Sequence, residues 1–365
     1  MTGARAAGEH VTLILPSFRS GGAERVLINL ARGLGADGVP VRILVLEDGG
    51  PLRPLVPGGV EVVPLGRKRA RFAVAAIVRA LRDRPGRAVL TSHPQLNMLV
   101  PLLRPLLPRG TRIVVREPIL PSESDERERR IRALEGVLGS ADAVIASSAA
   151  MGERLAWRTG AGDRIVVVPN PVDIAGIRSA ATHTAAGAPP SRPALISVGR
   201  LVARKGHADL LDALAASPRT DLSLTVVGDG PERGALKARA VSLGLATRTR
   251  FTGRIDDVSA LATLVGTSDR FVHPARFEGM PNAVLEALAL GTPVLATREV
   301  DALVELAQEL GPSAIELVDR AALPSALESL SGDAVGPLRP SLLPHRFALP
   351  EVVSRIRAVL LGEGA

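Results

Sequence analysis

Two glutamates, Glu278 and Glu286, flank a Gly-Met-Pro-Asn turn in RFEGMPNAVLEALALG, residues 276–291. The chemistry open to them depends on their separation. A helix from about Pro281 or Asn282 to Leu290, stopped by Gly291 and Pro293, puts Glu286 about one turn inside and leaves Glu278 in the loop before it. The carboxylates then lie on the order of 10 Å apart. That is wider than the roughly 5 to 9.5 Å of paired glycosidase carboxylates. Groups so spaced suit accepting hydrogen bonds from hydroxyls of two different sugars, and a nucleotide sugar carries two such rings. The amides of Gly279, Met280 and Asn282, beside Pro281, lie at the positive end of the helix dipole and offer a place for phosphate or sugar oxygens. Acidic residues near a helix start also complement that dipole with no ligand present. For Glu286 that explanation is the weaker one. Its neighbours Ala283, Val284, Leu285, Ala287 and Leu288 predict a helix buried nearly all round, where a carboxylate needs a partner.

Cations that could meet such a ligand follow an earlier strand, in SVGRLVARKG, residues 197–206. Arg200 and Lys205 could hold a diphosphate and neutralise the charge that builds as it departs. Lysine occurs only at 68, 205 and 237, so a basic position in this chain is ordinarily Arg, and Lys205 stands out. Arg204 beside it reads equally well as a solvated loop charge. VVGDGPERG, residues 226–234, places Gly228, Gly230 and Gly234 between a strand and a helix. The spacing is GxGxxxG, and no acid follows about 20 residues on to hold a ribose, so a tight turn lining the ligand site fits better than a dinucleotide fingerprint. Near the N-terminus, LPSFRSGGAERVLINLARGL sets Gly21 and Gly22 after a strand and before an amphipathic helix, where backbone can approach a ligand closely. No GxxxxGK[ST] phosphate loop occurs.

These residues need strand ends to present them. Short β-rich runs alternate with amphipathic stretches throughout, the pattern of parallel sheets with helical crossovers. The candidate strands are VTLILP, VRILVL, VEVVPL, AVLTS, RIVV, AVIAS and IVVVP, then ALISV, LSLTVV, RTRFTG, RFVHP, PVLAT and AIELV. The expected architecture is α/β, with two doubly wound domains. Boundaries fall at 1–172, a linker at 173–192 rich in Ala, Gly, Pro, Ser and Thr, and 193–345. Ligands of open α/β sheets bind beyond the carboxyl ends of the strands, so two such domains facing one another would form a cleft.

Composition narrows the partners. At 365 residues and 46% apolar, the chain can build two cores. Aromatics are 2%, with no Tyr and one Trp, which leaves little for base stacking and argues against nucleic acid. Cysteine is absent, so disulfides, a thiolate nucleophile and cysteine metal sites are excluded. MTGARAAGEH lacks the apolar core of a signal peptide, and the greasiest run, LNMLVPLLRPLLP, is too short and interrupted to span a bilayer. The reading is a cytoplasmic protein. Residues 1–185 hold 26 Lys and Arg against 17 Asp and Glu, whereas residues 186–365 hold 19 against 20, so the net charge of +8 belongs to the first half. RKRARFAVAAIVRALRDRPGR and PLLRPLLPRGTR mix cations with apolar runs as a helix lying on anionic lipid would, or as a solvated face would.

The chain resembles the family 4 glycosyltransferases of GT-B fold over nearly its whole length. The resemblance is carried by glutamate, seven residues, glutamate in FEGMPNAVLEALALGTPV, by GRLVARKG and GDGPER, and by SGGAER near the N-terminus. It implies two Rossmann-like domains, a UDP- or GDP-sugar donor held mainly by the second, and a C-terminal helix, about 346–365, packing back on the first. By the same resemblance Arg200, Lys205 and Glu278 take the catalytic positions, and Glu286 binds the ribose hydroxyls. Gly21, Gly22, Gly228, Arg254, Gly279, Met280, Pro281 and Asn282 join the donor set. No metal or other cofactor is expected. Many members carry a histidine after an N-domain strand near the reacting carbon. RIVVREP has Arg116 and Glu117 there, and the nearest histidine, His93, follows the preceding strand, so these three are acceptor-side candidates.

The function so implied is transfer of a hexose or N-acetylhexosamine, with retention of configuration, to a hydroxyl of a glycan or lipid-linked acceptor. Envelope polysaccharide or glycoconjugate synthesis is the expected setting, with the basic first domain resting on the inner membrane face. The same fold also serves nucleotide-sugar epimerases, phosphorylases and non-catalytic partner subunits, which remain alternatives at this stage.

Overall fold

A computed structural model of the chain describes residues 8–19, 21–119, 135–182, 193–330 and 338–363. It divides into two compact units, Met1–Pro171 with Arg346–Ala365, and Val172–His345.

The first unit is built on seven strands: β1 Gly8–Ser17, β2 Val41–Glu47, β3 Glu61–Pro64, β4 Gly86–Thr91, β5 Arg112–Arg116, β6 Ala143–Ala146 and β7 Ile165–Val167. They pair in parallel in the order β3-β2-β1-β4-β5-β6-β7. Strand periodicity of two sends alternate side chains to opposite faces. Val11, Leu13 and Leu15 accordingly join one core with Ile43, Val45, Ala88 and Leu90. Ile14, Leu44, Leu46, Val89, Ile113 and Val115 join the other. Helices Gly22–Ala36 and Leu349–Leu361 bury the first face, so FALPEVVSRIRAVLL returns to the N-terminal sheet. A Cβ added to Gly33 would lie 2.3 Å from Cγ2 of Val353, which explains a glycine where these two helices touch. Helices Val74–Asp83, Pro94–Leu102 and Ala149–Thr159 cover the second face.

The second unit has six parallel strands, β8 Ala194–Val198, β9 Ser223–Val227, β10 Thr249–Gly253, β11 Arg270–His273, β12 Val294–Thr297 and β13 Ile315–Val318, ordered β10-β9-β8-β11-β12-β13. All thirteen strands among the described residues fall on the runs chosen from sequence. They are short, β-branched and bounded by turn residues, a combination that leaves helix no room.

The expected linker at 173–192 is corrected in its first half. Residues Ile174–Thr182 form a helix that belongs to the second unit. Its many small side chains mask the apolar periodicity but let it lie close against helix Val258–Gly266. The hydroxyls of Ser259 and Thr263 there donate to the carbonyls of Ala180 at 2.7 Å and Ala181 at 3.3 Å, satisfying acceptors that a helix C-terminus leaves open. Residues 183–192 lie outside the described residues.

The strand order positions the loops that carry the candidate residues. In the second unit the chain lays β9 and β10 on one side of β8 and then returns to place β11 on the other. The loops after β8 and β11 therefore diverge from one point at the carboxyl edge of the sheet, a topological switch point of the kind where open α/β sheets take ligands.

Candidate functional site

The loop leaving β8 is shaped by glycine. Gly199 N–H donates to Val227 O at 3.0 Å and Leu201 N–H to Asp229 O at 2.9 Å, which lays residues 199–201 directly on the turn after β9. A Cβ on Gly228 would sit 1.9 Å from Gly199 O, and one on Gly230 would sit 2.3 Å from Leu201 O. Gly228 also has φ of +140°, closed to other residues on conformation alone. GDGPER is thus a tight turn that supports the β8 loop, with helix Arg233–Ser242 opening after it.

A 3₁₀ turn, Ala203–Lys205, follows, and Gly206 leaves it with φ of +70°. A Cβ at Gly206 would lie 1.9 Å from Pro274 O, so the turn bearing Lys205 is seated on the exit of β11. Backbone and side chain then lock the two loops together. Arg276 N–H donates to Arg204 O at 2.8 Å, and Arg204 Nη1 donates to Phe277 O at 3.1 Å. Glu278 ends between two cations, accepting from Arg204 Nη1 at 3.2 Å and forming an ion pair with Lys205 Nζ. Seventy-three residues separate Lys205 from Glu278 in the chain, yet their side chains are only 15% and 11% exposed against one another.

Burial governs the charges here. Loss of solvent, with Arg204 alongside, brings the Lys205 ammonium down to about 7, a pull that the facing Glu278 carboxylate opposes. Burial likewise lowers Arg204. His207 and His273, both almost fully buried beside these cations, are held neutral: burial first and then Lys205 take His207 to about 4 and His273 well below its ordinary value. Sequence reasoning passed over both histidines. His207 directly follows SVGRLVARKG and His273 lies three positions before RFEGMPN, and neither is marked by its type alone.

Arg320, just past β13, fastens the same region from behind. It donates to Asp209 Oδ2 at 2.7 Å, Pro274 O at 2.9 Å and Glu299 Oε1 at 2.8 Å, while Asp209 also accepts from Arg276 at 2.8 Å. Nothing in the sequence around Arg320 announces this role, because its partners come from the first turn of helix His207–Ala216 and from the segments after β11 and β12.

Arg200 lies two residues past β8 and is exposed; its carbonyl accepts from Val202 N–H at 3.0 Å, while its guanidinium makes no hydrogen bond or ion pair among the described residues. Arg204, for which a solvated loop charge stayed open in the sequence, pairs with Glu278. Arg254 follows β10 and pairs with Asp256 at 2.5 Å. Gly279 and Pro281 are buried, Met280 and Asn282 half-buried, and helix Asn282–Ala289 opens directly after Pro281. Glu286 is half-buried, which corrects the expected burial. Asn282, Ala283 and Glu286 form the accessible stripe of that helix, while Val284, Leu285, Ala287 and Leu288 face the core.

Gly21 and Gly22 lie in the first unit, at the start of helix Gly22–Ala36. A Cβ at Gly21 would fall 1.8 Å from Glu24 Oε2. The glycine makes room for that carboxylate, which folds back over the helix start and is pushed up by burial.

Also in the first unit, Arg116 and Glu117 are built into a buried network. Arg116, 1% exposed, donates to Ser92 Oγ at 2.9 Å and to Asn170 Oδ1, tying the ends of β4 and β5 to the segment after β7. Burial lowers its guanidinium to about 10, against the opposing pull of Glu117. Asn97, missed in the sequence, donates to Arg116 O at 2.9 Å and Glu117 Oε2 at 3.1 Å. His93 precedes helix Pro94–Leu102 without capping it, and burial lowers its imidazole. Among the described residues no group of three or more His, Asp or Glu side chains is arranged to hold a metal ion, and no helix is long and apolar enough to cross a membrane.

Comparison with known proteins gives these arrangements a family. Residues 20–175 match the model described as Glycosyltransferase Family 4, and residues 180–315 match that described as Glycosyl transferases group 1. The chain is 40% identical over 110 residues to the lipopolysaccharide core biosynthesis glycosyltransferase LpsE of Rhizobium meliloti, a match covering 30% of this chain and 31% of that protein. It is 39% identical over 114 residues to the GDP-mannose-dependent alpha-(1-6)-phosphatidylinositol dimannoside mannosyltransferase of Mycobacterium tuberculosis, covering 30% and 29%. The chain spans about a third of the length of these curated relatives. In fold, it is similar to Alr3699/HepE of Anabaena, solved in complex with UDP-glucose, with a TM-score of 0.76 and 20% identity over 96% of this chain and 99% of that one. With both units accounted for by these models and the GT-B architecture shared along the chain, the protein belongs to the family 4 glycosyltransferases.

Proposed function

We propose that the chain transfers a hexose or N-acetylhexosamine from a UDP- or GDP-sugar to a hydroxyl of a glycan or lipid-linked acceptor, with retention of anomeric configuration. The observation that carries this reading is the cluster of Lys205, Arg204 and Glu278 at the switch point of the second sheet. Two cations and a carboxylate there match a ligand that is anionic at its diphosphate and hydroxylated at its sugar. UDP-glucose bound to the Anabaena protein and the GDP-mannose dependence of the mycobacterial relative support this donor class.

In this scheme the bond from the anomeric carbon to the diphosphate breaks, and Lys205 with Arg204 and Arg200 stabilises the departing charge. The acceptor oxygen bonds to the anomeric carbon from the same face, and its proton passes to a phosphate oxygen. Glu278 accepts from hydroxyls of the donor hexose, and Glu286 from the ribose. The chemistry calls for no resident metal, so transfer is expected to persist in EDTA. Incubating the protein with UDP- and GDP-sugars and a polyprenyl-linked oligosaccharide acceptor, then reading the new linkage by nuclear magnetic resonance, tests the reading. Retention is the expected result; an inverted linkage overturns the same-face step, and an epimerised sugar or sugar phosphate in place of a glycoside overturns transferase activity.

We also propose that the basic first unit rests on anionic lipid. Helix Val74–Asp83 carries Arg79 and Arg82 opposite buried Ile77 and Leu81, and Arg82 reaches Leu106 O at 2.7 Å beside exposed Phe72, Leu102 and Leu106. Co-sedimentation with phosphatidylglycerol vesicles that weakens with salt is expected; equal binding to neutral vesicles refutes it.

A further inference from the structure

The place a ligand anion would take beside Lys205 and Arg204 is filled by a carboxylate of the chain itself. Glu278 is 11% exposed and is paired with both cations. Its loop has little freedom to withdraw. Arg276 N–H to Arg204 O and Arg204 Nη1 to Phe277 O tie the segment to the β8 loop, and Arg320 grips Pro274 O at its start. A ligand phosphate entering here must displace the carboxylate and then leave it nearby.

We infer that Glu278 is a specificity-determining residue that favours an intact nucleotide sugar over the bare nucleoside diphosphate, by competing with phosphate for Lys205 and Arg204. The inference rests on the donor reading above. A displaced carboxylate in a largely buried position needs new donors, and a sugar ring attached to the diphosphate brings hydroxyls that supply them. A bare diphosphate brings none, so the carboxylate is left facing phosphate, like charge against like charge. The burial of Lys205, 15% exposed beside Glu278, adds to the effect, because a cation short of solvent gains most from a close anion and the carboxylate already occupies its accessible side. After transfer the sugar has gone, Glu278 recovers its cations, and the diphosphate is expelled. The residue therefore sets the balance between donor capture and product release.

The test is isothermal titration calorimetry of the full chain and its Glu278→Gln variant with UDP, GDP, UDP-glucose and GDP-mannose. Glutamine keeps the shape and removes the charge. The bare diphosphate of the accepted base is expected to bind the variant about tenfold tighter, while the nucleotide sugar stays level or weakens. Unchanged or weaker binding of the bare diphosphate overturns the inference. Failure of all four ligands to bind the folded wild-type protein overturns the donor reading itself, and the inference falls with it. Glu278→Asp keeps the charge and shortens its reach. Its affinity for the bare diphosphate is expected between the two, and it carries the test where the Gln variant does not fold, a wild-type-like value counting against the inference.

Discussion

Donor affinity is expected to fall as pH rises through neutrality, and Lys205 is the reason. Burial and the charge of Arg204, against the opposing pull of Glu278, bring its ammonium down to about 7, whereas an ordinary lysine titrates near 10.4. The sign follows from which form binds. A nucleotide sugar keeps both phosphates ionised across this range, so it requires the protonated lysine, and that form is complete well below pH 7 and lost above it. Apparent affinity scales with the competent fraction, so the dissociation constant rises about tenfold between pH 6 and pH 8. Binding near neutral pH is also expected to take up protons, because burial lowers the Lys205 ammonium before the ligand arrives and a bound anion restores it. The buried histidines facing Lys205 do not confuse the measurement, since His207 is held to about 4 and His273 well below its usual value. Calorimetry at pH 6, 7 and 8, in buffers of different ionisation enthalpy, reads both quantities. Lys205→Met removes the slope and binds weakly throughout, while Lys205→Arg removes the slope with its charge intact. A flat wild-type profile, or a slope that survives in Lys205→Met, refutes the reasoning.

Other outcomes test the frame around the site. Arg116→Met is expected to cost about 3 to 5 kcal/mol of stability, because it strips a buried guanidinium from Ser92 and Asn170 and leaves Glu117 without its neighbour; urea denaturation measures it. Gly228→Ala meets both a positive φ and a carbonyl at 1.9 Å, so a loss on the order of 2 kcal/mol or more is expected, together with nucleotide binding, as read by thermal unfolding with and without ligand. Arg320→Met leaves Pro274 O without this donor and takes one of the two cations from Asp209; a loss of about 1 to 3 kcal/mol and weaker nucleotide-sugar binding are expected, with unchanged affinity counting against its clamping role.

Much of this protein was decided along the chain. Alternation of β-branched runs with amphipathic segments determines two parallel-sheet units, since a strand buried on both faces has to be apolar along its length and its parallel neighbour has to be reached through a helix. Glu278, Lys205 and Gly228 were legible for a related reason. A carboxylate before an apolar helix, a lysine in an arginine-rich chain and a glycine after a strand are each out of keeping with their surroundings. What the tertiary structure alone decided is who meets whom. The strand order puts the loops of β8 and β11 side by side, so that Glu278 closes onto Lys205 and Arg204 while Arg200 remains exposed. It turns Glu286 onto an accessible stripe, folds Arg116 inward onto Ser92 and Asn170, and brings Arg320 behind the site from the end of β13. Periodicity reports the neighbours a residue has along its own element; charge pairing, burial and the shifted lysine arise from neighbours that only the folding of the sheet brings within reach.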